Sequence, residues 1–208
     1  MSFNLYLLLF GILGFWTIMN FFSSSLKKRG IEIVGFTLLW RTKKFTKTID
    51  SLSKKFGRLW DYFAKIGIAV SLGGSVLVVY LLYSKILQML EDAEPQKALT
   101  LAIPGKTIPL WYGLIGIVVL VIVHEFSHGI IARRENIPLK SVGVGLLIAL
   151  PLAFTEPEEE AMKKASSWSR IKVYAAGSMA NFITGLTALL LITACSSLIV
   201  GNGIVVNE

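Results

Sequence analysis

Long uninterrupted apolar stretches constrain this 208-residue chain more than any other feature of its sequence. Four stretches reach the roughly 20 residues that a helix needs to cross the hydrocarbon core of a bilayer. They are Phe3 to Phe22, about Ile66 to Leu90, about Ile108 to Ala132 and about Ile171 to Val200. The composition agrees, since 54% of the residues are apolar and 16% are charged, whereas a soluble domain has about 25% charged residues. The predicted fold class is therefore an all-α membrane protein with about four transmembrane helices.

Charged residues are distributed unevenly between these stretches, and their distribution predicts an orientation. Residues 23–65 carry eleven Lys or Arg against three acids, and residues 133–170 carry six against five. Residues 91–109 carry two Lys or Arg against three acids. Loops rich in Lys and Arg stay in the cytoplasm. We therefore expect a multi-pass protein of the cell membrane with its N-terminus outside and with residues 23–65 and 133–170 in the cytoplasm.

A basic amphipathic pattern occupies residues 43–65. Apolar side chains recur there at steps of three or four residues, while lysines and an arginine fill the other face. Such a helix is suited to lie on an anionic inner leaflet, so the lipid bilayer is an expected partner. Nucleic acid is the competing interpretation of the net charge of +8, and it is not expected because spanning segments flank the basic helix.

Two stretches, Ile31 to Trp40 and Ser141 to Phe154, fit no spanning helix. The first is rich in β-branched and aromatic residues, and the second contains two glycines and a proline. We expect short membrane-associated strands or re-entrant loops, because irregular backbone at that depth has to lie against protein or a wet cavity. Ordinary loops with apolar content remain the alternative.

One short pattern, H-E-F-S-H, places His124, Glu125 and His128 inside the third apolar stretch. Residues four apart lie on one face of a helix, so both imidazoles can reach one ion. Neutral imidazole is a good zinc ligand, and zinc lowers the pKa of a bound water to about 7. Glu125 can then act as general base on that metal-activated water. Ionisable groups inside a span are usually functional, although a plain helix end in the headgroup region is the alternative.

This pattern, read as H-E-F-S-H-G in a membrane span, resembles the site-2 protease family of intramembrane zinc metalloproteases, most closely its archaeal and eukaryotic branch. The resemblance covers about residues 100–200, whereas the earlier residues match only in layout. Further segments support it: Pro104-Gly105 with Pro109, Ser141-Val142-Gly143, Pro151-Leu152-Ala153-Phe154, and Ala176-Gly177-Ser178-Met179-Ala180-Asn181. The last of these resembles the family's G-x-x-x-N signature.

The resemblance implies an activity, a cofactor and a set of site residues. The activity is cleavage of the transmembrane segment of a membrane-anchored substrate, in regulated intramembrane proteolysis. The cofactor is Zn²⁺, with His124 and His128 as metal ligands, Glu125 as the catalytic base and Asn181 as a substrate-binding residue. Close helix packing is the other interpretation of the segment around Asn181. An edge of the strand-like stretches would then pair with the extended substrate.

The sequence departs from the family at the third zinc ligand. The family carries that ligand in an aspartate-glycine motif on a later span, and the motif does not occur in the sequence. We expect it beyond Glu208, with residues 1–200 forming the N-terminal part of the metalloprotease core and residues 201–208 starting an extracytoplasmic PDZ-like domain.

Other functions therefore stay open at this point. The chain is alternatively a non-catalytic membrane module or an inactive relative that binds transmembrane helices. A metal transporter is a weaker alternative, because other polar groups in the spans are few. Self-association into a homo-oligomer is also open.

Overall fold

The computed structural model of the protein describes residues 2–91 and 103–198. The helices are α1 (Ser2–Phe21), α2 (Ser23–Lys28), α3 (Lys44–Lys55), α4 (Gly57–Glu91), α5 (Leu110–Arg134), α6 (Glu159–Lys164) and α7 (Ser167–Leu198). The strands are β1 (Ile31–Val34), β2 (Thr37–Thr42), β3 (Leu139–Leu147) and β4 (Leu150–Pro157). The PDZ-like start predicted at residues 201–208 lies outside the described residues.

Three of the described helices, rather than four, are long and apolar enough to cross a membrane. Their spanning segments are Gly57–Leu90 in α4, Leu110–Arg134 in α5 and Ser167–Ser196 in α7. The first predicted span coincides with α1 (Ser2–Phe21). The apolar segment found among its described residues is Leu9–Phe21, so the described residues do not test this span. Helix α7 packs against both α5 and α4, so the three spanning helices form one bundle.

A four-stranded antiparallel sheet in the order β1-β2-β3-β4 corrects the prediction of an all-α protein. Strands were expected, as one of two options, at both places where they occur. The new feature is that β2 pairs with β3, with Trp40 opposite Val144, so the two hairpins form a single sheet. The β3–β4 turn is fixed by Ile148, whose N–H donates to the Phe36 carbonyl at 2.8 Å. Trp16 of α1 donates its indole N–H to the Ile148 carbonyl at 3.0 Å.

The basic amphipathic segment at residues 43–65 folds as two helices rather than one. Helix α3 ends at Lys55 and α4 begins at Gly57. Gly57 lets the chain pass close to Arg134, since a Cβ there would lie 3.1 Å from the guanidinium. Ile49 and Ser53 of α3 are buried, and α3 packs on α5. Protein therefore covers the apolar face of α3 around Ile49, while Phe45 is half exposed and the lysines remain exposed.

The buried core lies around the C-terminal half of α5. One cluster of buried residues joins α4, α5 and α7, and a second joins α3, α5 and β3. The members are Ala64, Ile131, Ala132, Ile137, Val173 and Ala176 in the first cluster, and Ile49, Ile130 and Val142 in the second. The best-packed part of the molecule therefore directly follows the H-E-F-S-H pattern.

Candidate metal centre

His124, Glu125 and His128 lie together on α5, as the helical spacing predicts. Each offers one ligand atom, and these atoms all lie within 4.8 Å of one another. The two imidazole rings meet edge to face with their centroids 4.7 Å apart. Within the described ranges 2–91 and 103–198, this is the one group of three or more His, Cys, Asp or Glu side chains that could hold a metal ion. The roles of the three residues remain predictions.

His128 is oriented by the backbone of α7. Its Nδ1 lies 2.6 Å from the carbonyl oxygen of Val173. A carbonyl only accepts hydrogen bonds, so Nδ1 carries the proton and the lone pair of Nε2 is free. This is the tautomer that a metal-binding histidine needs, with its second nitrogen held by an outer partner. The sequence could not identify Val173 as the partner of His128, because the contact uses a main-chain oxygen.

His124 is held from the same helix by Asn181, whose amide lies against Nδ1 at 3.1 Å. With the NH₂ group facing Nδ1, the Oδ1 atom is buried without a hydrogen-bond partner, and Nε2 has to carry the ring proton. When the amide turns by 180°, Oδ1 accepts from Nδ1–H and Nε2 no longer carries the ring proton. The second orientation suits a metal, so this pair of residues fits zinc in one of its two arrangements. The substrate-binding role of Asn181 remains a prediction.

Gly177 brings α7 close enough for these contacts. It lies one turn before Asn181, and a Cβ at this position would overlap the His124 ring around Cε1 and Nε2. The G-x-x-x-N pattern therefore has a local physical role: its glycine admits the imidazole, and its asparagine holds the far nitrogen of the same ring. Close packing, one of the two interpretations of this segment from sequence, describes part of this geometry.

Glu125 faces the outer edge of β4. The Thr155 N–H donates to its Oε2 at 2.9 Å, and the Thr155 hydroxyl donates to the Glu125 carbonyl at 2.7 Å. Thr155 is opposite Val142 of β3 in the ladder, and its N–H points away from that neighbour. The backbone nitrogens of Pro151 and Pro157 face the same outward side as the Thr155 N–H. The N–H groups that these prolines lack therefore cost no hydrogen bond in the sheet. The outer edge of β4, which pairs with no further strand in the described sheet, thus lies directly beside the candidate base, and sequence reasoning did not identify Thr155.

Two cavities flank this centre. A cavity of about 420 Å³ opens beside His128, between the end of β4, α6 and the start of α7. A second cavity of about 250 Å³, the sheet cavity, lies between the sheet and α5 and borders Glu125. Its lining is almost wholly apolar and includes Trp40, Ile122, Phe126, Val144 and Ala153.

The acidic run at residues 156–160, interpreted from sequence as a solvated loop, begins with a structured residue. Glu156 belongs to β4 and accepts hydrogen bonds from Ser141 at 2.6 Å and from Lys140 at 2.9 Å, and it also contacts Arg41. Burial favours the neutral acid, but the hydrogen bonds from Ser141 and Lys140 and the nearby positive charges hold the pKa of Glu156 below its ordinary value. The cluster ties β2, β3 and β4 together at one end of the sheet.

Comparison with known proteins finds a family that resembles part of this chain. Residues 112–205 match the model of peptidase family M50, the site-2 protease family. The resemblance seen in the sequence is confirmed at the level of this match.

A relative found among curated proteins is itself uncharacterized, so it gives no activity. The chain is 34% identical over 166 residues to the uncharacterized protein MJ0971 of Methanocaldococcus jannaschii. The alignment covers 76% of this chain and 44% of that protein, so the chain spans less than half the length of the curated relative. No solved structure matches the chain.

Proposed function

We propose that the protein is an intramembrane zinc metalloendopeptidase that cleaves transmembrane segments of membrane-anchored proteins. The observation that carries the proposal is the pair of anchored imidazoles on α5. His128 is fixed by the Val173 carbonyl, His124 is held by Asn181, and Glu125 accepts the Thr155 N–H at the outer edge of β4. The match of residues 112–205 to peptidase family M50 supports the same reaction class.

Each side chain of the centre has a distinct task in this proposal. His124 and His128 present their Nε2 atoms to the metal. Zinc, when bound, supplies a Lewis acid that lowers the pKa of a water molecule to about 7. Glu125 uses Oε2 to accept the Thr155 N–H, which leaves Oε1 to take a proton and pass it to the leaving amine. Catalytic zinc sites normally use three protein ligands, and the described residues supply two imidazoles. The third ligand is proposed to come from another part of the natural protein.

The substrate is proposed to bind as an extended strand on the outer edge of β4. A helical segment hides its carbonyls in its own hydrogen bonds, so it has to unwind before hydrolysis. The outward N–H at Thr155 shows that the backbone of β4 faces Glu125 at this edge. The N–H and C=O of Ala153, two residues away, face the same side. Pairing there would place the substrate backbone beside the candidate base.

The proposed orientation places residues 23–65 and 133–170 on the cytoplasmic side of the cell membrane, with the N-terminus outside. The pairing of β2 with β3 supports this orientation, because it joins these two predicted cytoplasmic segments in one sheet. The exposed lysines of α3 would then face the anionic inner leaflet. The cavity beside His128, lined in part by Lys163 and Arg170, would admit water from the cytoplasm.

The decisive experiment compares the natural full-length protein with its Glu125→Gln variant. The glutamine oxygen can still accept the Thr155 N–H, so the substitution removes proton transfer and leaves the contact. We expect zinc content to persist while cleavage of a single-span reporter falls by a factor of about 10²–10⁴. The matched control is Glu160→Gln, because that carboxylate is 70% exposed.

Two results would contradict the proposal in different ways. Persistent cleavage by Glu125→Gln would remove the base assignment. Absence of both zinc and cleavage in the wild-type protein, with retained binding of the reporter segment, would instead support the non-catalytic membrane module.

A further inference from the structure

We infer that the sheet cavity is a subsite that binds one large apolar side chain of the substrate, next to the bond that is cleaved. This inference rests on the proposed function, since it deepens the way in which that site recognises a peptide. Ala153, Val144 and Phe126 would select the substrate by one of its side chains. The rest of the proposed centre would contact only the peptide backbone.

The position of the cavity is the first argument. It lies between the sheet and α5, and Glu125 forms part of its wall. The same carboxylate accepts the N–H of Thr155 at the outer edge of β4. The cavity and the strand edge therefore adjoin at Glu125. A peptide bound along the edge would lie beside the cavity.

The register of the sheet gives the second argument. Trp40 is opposite Val144, and Val144 is opposite Ala153, so these side chains form a row across three strands. Ala153 shares a face with Thr155, whose hydroxyl reaches the backbone of Glu125 on α5. A peptide added to β4 would continue the row, and its residue opposite Ala153 would point toward α5. Because Ala153 is small, that side chain can lean into the space below it.

The chemistry and size of the cavity give the third argument. The lining carries almost no polar surface apart from Glu125, so the cavity suits a hydrocarbon group rather than water or an ion. Its volume is about 250 Å³, and an apolar cavity of roughly 150 Å³ already accepts a benzene molecule. A leucine, methionine or phenylalanine side chain fits this space.

The test uses the natural full-length enzyme in proteoliposomes with a panel of single-span reporters. Each reporter carries Ala, Leu or Phe at one position near the cleaved bond, and mass spectrometry identifies the bond. We expect one position at which wild-type enzyme prefers Phe over Ala by roughly tenfold or more in kcat/KM. Ala153→Leu fills the cavity and should reduce this preference at least fivefold, whereas Ala188→Leu, on an exposed face of α7, should leave it unchanged.

A second pair of variants changes the cavity in the opposite direction. Val144→Ala enlarges the space and should shift the preference from Leu toward Phe, while Val34→Ala, at a residue that is 63% exposed on β1, should not. Thermal unfolding of Ala153→Leu separates specificity from damage, because a leucine in an empty cavity should keep or raise the melting temperature.

The outcomes separate this inference from the function on which it rests. No cleavage by the wild-type enzyme contradicts the proposed function. Cleavage with the same Phe-to-Ala ratio in wild type and Ala153→Leu overturns the subsite and leaves the function intact. A lower melting temperature in Ala153→Leu, with the ratio unchanged, would show that another segment of the protein already fills the cavity.

Discussion

Removing the amide of Asn181 should weaken metal binding, because this side chain holds one of the two candidate ligands. His124 contacts it at 3.1 Å, whereas His128 is held by a main-chain carbonyl that no substitution removes. Asn181→Leu deletes the hydrogen bond and keeps a similar size. Asn181→Asp can only accept, so it supports the orientation in which Nδ1 of His124 donates and Nε2 carries no proton.

The expected loss of zinc affinity is that of removing one hydrogen-bond partner of a metal ligand. Removing such a partner typically lowers metal affinity about 10–100-fold, which corresponds to about 1.4–2.7 kcal/mol. We expect a loss in that range for Asn181→Leu. For Asn181→Asp we expect an affinity equal to or higher than that of the wild type, because a carboxylate is a strong acceptor for an imidazole N–H.

The assay is competition for zinc against a fluorescent chelator, with the natural full-length protein in the Glu125→Gln background to prevent turnover. Thr184→Val is the matched control, because its hydroxyl bonds only to Ala180 of its own helix, at 2.8 Å. If Asn181→Leu binds zinc as tightly as the wild type, the anchoring role is refuted. If Asn181→Asp binds more weakly than Asn181→Leu, the inferred orientation of the amide is refuted.

Three further predictions concern the surroundings of the centre. Gly177→Ala should lower the amount of zinc bound per protein, because its Cβ would overlap the imidazole of His124. Gly185→Ala is the control, because a Cβ there meets nothing within 4 Å. Equal zinc contents in the two variants would contradict the close approach of Gly177 to His124. Lys172→Met should destabilise the fold by roughly 3 kcal/mol, because it leaves Glu135, only 13% exposed, without its positively charged partner. Chemical unfolding measures this, and adding Glu135→Gln should restore most of the loss. The folded-state pKa of Glu156 lies below its ordinary 4.5, so its contribution to stability is present at neutral pH and lost below that value. Melting temperatures should therefore fall more steeply in wild type than in Glu156→Gln between about pH 5 and pH 3, and parallel curves would contradict this.

Local patterns in the sequence predict the parts of this molecule that depend on neighbouring residues. The spacing of His124 and His128 fixes them on one face of a helix, and α5 shows this arrangement. The β-branched and aromatic residues between Ile31 and Trp40 predict a strand as one of two options, and β1 and β2 form there. In both cases the determining residues are a few positions apart.

Contacts between distant residues could not be predicted in the same way. The pairing of Trp40 with Val144 joins residues about a hundred positions apart, and no local pattern encodes it. The contact of His128 with Val173 uses a backbone oxygen, which every residue has. The close approach of Arg134 to Gly57, at the break between α3 and α4, appears only in the packed structure.

Both imidazole anchors belong to one helix, and the two helices run in opposite directions, with Val173 serving His128 and Asn181 serving His124. A slide of α7 along its axis by a single residue, about 1.5 Å, would disengage both rings at the same moment. If the two histidines hold an ion as proposed, its affinity would depend on the axial alignment of α5 and α7. Bound zinc would then report whether the two helices are in register.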